Sequence, residues 1–225
     1  MGNNLLIGVG GFLPVGDERF SSSKVRRQVT ALNGNTAEVD MTSKSRGVEF
    51  LDGGMNVSLQ TQKWLLSYGV DFPAGPTEKV AEYRYWYSDP SHSVTALDGS
   101  EVAYLRTEQG IQQSVSIGRE ISRDIGSVFG RPTRTYIKGG LRTRTVTIIQ
   151  GTEAWGKDGH EITVGREKLW GGSLDITCMS GKSIDNPSLF NTAALTVGVS
   201  YLKGPSLREI MVYAGIGVGA GIPIE

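Results

Sequence analysis

The chain has 225 residues, and its 23 Lys and Arg balance 23 Asp and Glu. No global charge excess recruits nucleic acid or a membrane surface, so any such contact must come from a local patch. The length suits one large β-domain or two small ones and is enough for a core. A lone cysteine, Cys178, excludes an intrachain disulfide and a cysteine-based metal cage.

In chain order, "MGNNLLIGVGG" lacks the basic flank and long apolar run of a signal peptide. Either the protein is made and used in the cytosol, the preferred expectation, or a leader has been removed. No apolar run is long enough for a transmembrane helix. "GVGG" at 8–11 superficially resembles a phosphate loop, but the lysine and following helix are missing, so it reads as a turn out of a strand. In "MNVSLQTQ", Met55, Val57 and Leu59 alternate with Asn56, Ser58 and Gln60, the signature of a half-buried strand. "AEYRYWY" sets Tyr83, Tyr85 and Tyr87 against Arg84 and Trp86, an aromatic cluster expected to pack across strands. "SVTALDGSEVAYL" is a hairpin signal at Asp98-Gly99, repeated at Asp158-Gly159.

One segment departs from this rhythm. Ile117, Ile121, Ile125, Val128 and Phe129 fall at four- and three-residue spacings. This predicts an amphipathic helix over about 118–129, stopped at Gly130-Arg131-Pro132. Next comes "GRPTRTYIKGGLRTRTVTIIQ", where Arg131, Arg134, Lys138, Arg142 and Arg144 meet no acid between Ile125 and Thr152. Arg142 and Arg144 share one side of a strand. They read as a solvated edge face or a contact with an acidic subunit surface, in preference to a phosphate contact. "SLDITCMS" makes Cys178 a small buried hydrophobe, and "AALTVGVSYL" is again an alternating strand.

Candidate chemistry is sparse. His92 and His160 sit in turns, far apart in sequence and without local partners, so neither a metal site nor a catalytic triad rises above background. The carboxylates Asp17, Glu18, Asp71, Glu78, Asp98 and Glu101 are scattered, with no glycosidase-like pairing. The expectation is a non-enzymatic protein with no catalytic residue, no cofactor and no metal.

The C-terminus, "MVYAGIGVGAGIPIE", poses the sharpest question. Gly215, Gly217, Gly219 and Gly221 alternate with Ala214, Ile216, Val218, Ala220 and Ile222. Each glycine in a strand interior costs about 0.5–1 kcal/mol relative to alanine. The bare face therefore needs a bulky neighbour or a close backbone, a narrow barrel interior, or an adjacent subunit. The N-terminal "NNLLIGVGGFLPVG" has a similar makeup. Together they predict a protein built to associate, with 1–16 and 205–225 as arm or interface segments. The candidate interface is Gly215, Gly217, Gly219, Gly221, Ile216 and Val218, joined by Arg131, Arg134, Arg142 and Arg144.

The stretch "NTAEVDMTSKSRGVEFLDGGMNVSLQTQ" resembles the N-terminal part of phage major tail tube proteins. The matching residues are Asp40, Met41, Thr42, Ser43, Lys44, Glu49, Phe50, Leu51, Gly53 and the strand from Met55 to Gln60. The resemblance implies a virion subunit stacking into rings or tubes, assembled in the host cytoplasm. Its partners would be copies of itself and other virion proteins, with nucleic acid and membrane not favoured. The expected fold is mainly β: a β-sandwich or barrel of antiparallel strands in a single domain, 1–225, with one flanking α-helix and extended terminal arms. The alternatives are a capsid or connector subunit, or a membrane β-barrel or pore-forming protein, because "VGVSYL" and "YAGIGVGAGI" alternate as barrel strands do. Low aromatic content and the absence of a leader stand against the membrane alternative. A carbohydrate- or peptide-binding β-domain would draw on Tyr85 and Trp86.

Overall fold

Alternation over long stretches gives each strand two chemically different faces, and the chain uses that to close a ring. The computed structural model describes residues 3–30, 36–44, 46–49, 51–74, 79–87, 94–95, 101–128, 131–154, 157–158, 161–181 and 192–224. Regular structure among the described residues is entirely strand. The first seven are β1 (Asn3–Phe20), β2 (Lys24–Thr30), β3 (Thr36–Ser43), β4 (Arg46–Glu49), β5 (Leu51–Gln60), β6 (Trp64–Ala74) and β7 (Lys79–Tyr87). The rest are β8 (Val94–Thr95), β9 (Glu101–Val128), β10 (Arg131–Ala154), β11 (Lys157–Asp158), β12 (Ile162–Gly181), β13 (Thr192–Lys203) and β14 (Leu207–Ile224).

The wall runs β1–β5–β6–β9–β10–β12–β13–β14 and returns to β1, every neighbour antiparallel. Eight strands thus form a closed barrel, not a sandwich. Closure removes the open edges that a sheet of this size would otherwise expose. The two chain ends are wall strands, paired with each other from Asn3–Ile224 to Phe20–Leu207.

The predicted helix is corrected here. Residues 118–128 continue β9, paired with β10. A four-residue spacing is an even number, so Ile117 and Ile121 share a strand face as readily as a helix face. The longer-range pairing with β6 and β10 decides between them. Ile125 and Phe129 have side chains outside the described residues.

The barrel's two ends differ. At one, the turn end, Asn3 meets Ile224, Asn4 meets Gln60, and β5 passes to β6 through Thr61–Lys63. The opposite, loop end carries the long connections 21–50 and 75–100, which contain β2 to β4 and β7 and β8. There β7 pairs with β9, β3 with β7 and β2 with β3, so a small sheet rises from the rim. Its hairpin folds Val29, Val39 and Met41 onto the inward-facing Leu105, Val146, Ile148, Leu169, Leu202 and Leu207. Gln150 Nε2 donates to the Gln28 carbonyl at 2.8 Å, which ties the hairpin to the wall. A smaller apolar cluster of Leu6, Leu65 and Tyr136, with Met179 against it, stands inside the turn end.

Candidate functional site: a wall with two faces

In β14 the inward positions are Leu207, Glu209, Met211, Tyr213, Gly215 and Gly219, while Ile210, Val212, Ala214, Ile216, Val218 and Ile222 are exposed outward. The same division holds around the ring. Ile7, Val9, Leu13 and Val15 face out on β1; Met55, Val57 and Leu59 on β5; Leu66, Tyr68 and Phe72 on β6. Val115 and Ile117 continue the belt on β9, Ile137 and Leu141 on β10, Leu174 and Ile176 on β12, and Leu195, Val197 and Val199 on β13. Leu141 and Ile216 are each 71% exposed. An apolar band that encircles the molecule exceeds the isolated patches found on water-soluble monomers. Trp64, Trp170 and Tyr201 are also outward and exposed, residue types that favour the boundary between lipid and water.

The inside is polar. Arg144 is fully buried, with Nη2 donating to Gln112 Oε1 at 2.7 Å and Nη1 lying 3.4 Å from Glu209 Oε2. Gln112 Nε2 donates in turn to Asp71 Oδ2 at 2.9 Å, and Gln109 donates to Glu18. Toward the turn end, Asp175 faces Arg142 at 3.5 Å and Lys138 at 3.9 Å and accepts a hydrogen bond from the Tyr213 hydroxyl. The Arg142 guanidinium stacks 4.2 Å from the centroid of the Tyr213 ring. These charges are out of bulk water, so each depends on its partners.

The alternating glycines are explained by this lumen. Gly215 lies beneath the Phe12 ring, where a side-chain carbon would collide with it. Phe12 meets Tyr213 edge-on at 6.0 Å. A carbon on Gly10 would come within 2.7 Å of the Ile216 carbonyl. Gly8 pairs with Gly219 and Gly10 with Gly217, so the inner face of the β1–β14 seam is bare backbone. It borders a cavity of about 110 Å³ lined also by Ser58, Ser114, Lys138, Asp175 and Thr196, polar and roomy enough to hold water.

Of the residues singled out in the sequence, Gly215, Gly217 and Gly219 line the lumen, Gly221 pairs with Leu6, and Ile216 and Val218 face outward. Arg142 and Arg144 project inward to acids of the same chain, and Arg134 pairs with Glu120 at 3.2 Å. The side chain of Arg131 and those of Tyr83 to Tyr87 lie outside the described residues, as do His92 and His160. Cys178 is half-buried on the outer side of β12, with its sulfur 3.4 Å from Thr135 Oγ1. Sequence reasoning missed Asp175, Glu209 and Tyr213. Their signal was a single acid inside an apolar strand, in "SLDIT" and "REIMVY", which only a polar interior accommodates.

No protein-family model matches the chain, and no curated protein sequence matches it. Among solved structures it is similar to Neisserial surface protein A, at 10% identity over 94% of this chain and 96% of that one, with a TM-score of 0.42. It is also similar to Ail, the attachment invasion locus protein of Yersinia pestis, at 6% identity, 97% and 99% coverage and a TM-score of 0.39. The outer membrane protease OmpT of Escherichia coli follows at 9% identity, 98% and 97% coverage and a TM-score of 0.25. At these scores the likenesses carry no weight by themselves; the two faces of the wall do.

Those faces correct several expectations. The tail tube resemblance fails, since its residues divide between the rim hairpin (Asp40 to Ser43 in β3) and the barrel wall (β5). The virion location and the ring of copies fail with it. β14 is paired on both edges by β1 and β13 of its own chain, and its glycine face turns into the lumen, with Phe12 over Gly215. The exclusion of a membrane also falls, because it rested on helical spans, on aromatic content and on the absence of a leader. No helix of the described residues is long and apolar enough to cross a bilayer, and a β-barrel needs none.

Proposed function

We propose that the chain is an integral membrane β-barrel of the bacterial outer-membrane kind, and that it is non-enzymatic. The observation that carries this reading is the inverted wall: apolar side chains outward on all eight strands, and a hydrogen-bonded ionic network inside. Lipid satisfies the first face, and closure satisfies every backbone group that lipid cannot. An even strand number and the two longest connections, 21–50 and 75–100, both at the end opposite the termini, fit the same class. With apolar clusters at both ends of the lumen, the barrel acts as an anchored platform for its loop end and not as a channel.

The test is reconstitution. The refolded chain should enter phosphatidylcholine vesicles, float with them after an alkaline wash, and remain monomeric in detergent by light scattering. Trp64 and Trp170 should be quenched by lipids brominated near the headgroup. A water-soluble oligomer that leaves the vesicles on washing would overturn the reading.

A further inference from the structure

Where the apolar belt ends toward the loop end, the outer face of four adjacent strands turns cationic. Arg19 on β1 pairs with Arg208 on β14, and Arg208 pairs with Lys203 on β13. Lys203 pairs with Trp170 on β12, and Lys168 reaches back over that indole at 4.5 Å. Arg166 follows two positions along. Opposed positions on antiparallel strands are about 4.5–5.5 Å apart, so three cations stand in a row that one phosphate group can bridge in pairs. Trp170 fills the fourth place in the row, and the exposed Ile210 and Tyr201, paired with each other, lie just below it.

Of this row the neighbouring acids compensate only Arg19. Glu167 is committed to the β13–β14 turn, where it accepts from the Ser206 amide at 3.0 Å, the Leu207 amide at 3.3 Å and the Ser206 hydroxyl. Glu209 faces the lumen and Arg144. Asp17 engages Arg19 at 3.5 Å. Arg166, Lys168, Lys203 and Arg208 have no ion pair among the described residues, and Arg208 Nε is buried without a hydrogen-bond partner. Like charges in adjacent rows repel unless an anion lies between them.

We propose that this row binds the phosphate groups of an anionic lipid in the leaflet at the loop end, with the acyl chains lying on Tyr201, Ile210 and Trp170. The inference rests on the membrane reading above. Cations at an interface attract anionic headgroups with a worth that corresponds to about five-fold in affinity per residue, and guanidinium groups add paired hydrogen bonds to phosphate.

The experiment uses the whole chain in phosphatidylcholine vesicles with and without lipid A, a phosphorylated lipid, followed by native mass spectrometry of the extracted barrel. Wild type should retain lipid A in preference to phosphatidylcholine. The variant Lys203→Gln/Arg208→Gln should lose affinity by about 25-fold, and Lys63→Gln, at the turn end, should lose none. All three should enter neutral vesicles equally, since the altered positions are outside the core. Insertion without preference for lipid A, or equal retention by the variant, overturns the lipid site while leaving the membrane reading standing. Failure of wild type to insert into either vesicle overturns both. Complete displacement of lipid A by millimolar inorganic phosphate shows a site for free phosphate and overturns the lipid assignment.

Discussion

The inner and outer faces of the same wall obey opposite rules. On β14, Ile216 and Val218 point out and are exposed, while Glu209 and Tyr213, on the other parity, are buried. In a water-soluble sheet the apolar parity would be the buried one. The difference teaches that a two-residue period fixes which side chains share a face but not which face meets solvent. Here the outer face is stabilised by lipid and the inner one by complementary charge, so each face should fail in its own way.

The largest expected effect is on the inner face. Arg144→Met leaves Glu209 in the lumen without its cation and should destabilise the folded barrel by about 3–5 kcal/mol. Adding Glu209→Gln should recover part of that loss, because removing both charges is far less costly than stranding one. Urea titration in neutral vesicles reads both. A double variant no more stable than Arg144→Met would break the assignment of the pair.

On the outer face the expectation is graded with depth. Ile216→Arg, near the middle of the apolar run on β14, should cost about 2–4 kcal/mol in a bilayer, and Ile210→Arg, at its margin, about 0–1 kcal/mol. Equal effects at the two positions would argue against a lipid-facing belt. The seam between the faces is sharpened by Gly215→Ala, which drives a methyl group into the Phe12 ring and should cost about 1–3 kcal/mol by overpacking. Phe12→Leu in the same chain should relieve it.

These faces also show how far the sequence could be read. The strands in "MNVSLQTQ", "AALTVGVSYL" and the glycine-alternating end were legible because alternation is local. The barrel itself was not, since closure depends on β1 meeting β14, a pairing between the two ends of the chain, and on β6 meeting β9 across the intervening 75–100 connection. The helix over 118–129 was misread because Ile117 and Ile121 satisfy both periods. The site was concealed for a related reason. Arg142 and Arg144 look like a free basic run until Asp175 and Glu209, far along the chain, are placed opposite them. The glycines looked like a surface awaiting a second copy because nothing local to them shows Phe12 lying above Gly215.

The smallest effect lies outside the belt, where water restores ordinary electrostatics. At the loop end Arg106 holds Glu161 through two contacts, Nε to Oε1 at 2.8 Å and Nη2 to Oε2 at 2.7 Å, and the Tyr104 hydroxyl donates to the same carboxylate at 2.6 Å. The Arg106 guanidinium, aided by that hydroxyl, draws the Glu161 carboxyl down from 4.5 to about 2. In the unfolded chain the group titrates near its ordinary value, so the folded form gains from this strap in full above pH 4.5. The gain fades as pH falls from there toward 2, where Glu161 takes up its proton in the folded state as well. Both groups are partly exposed, so the effect on global stability is small, and hydrogen exchange at residues 104–106 reads it more directly. Wild-type protection there should decline on acidification across that window. Glu161→Gln should start lower and show no such decline, and a parallel decline in both proteins would remove Glu161 as its cause.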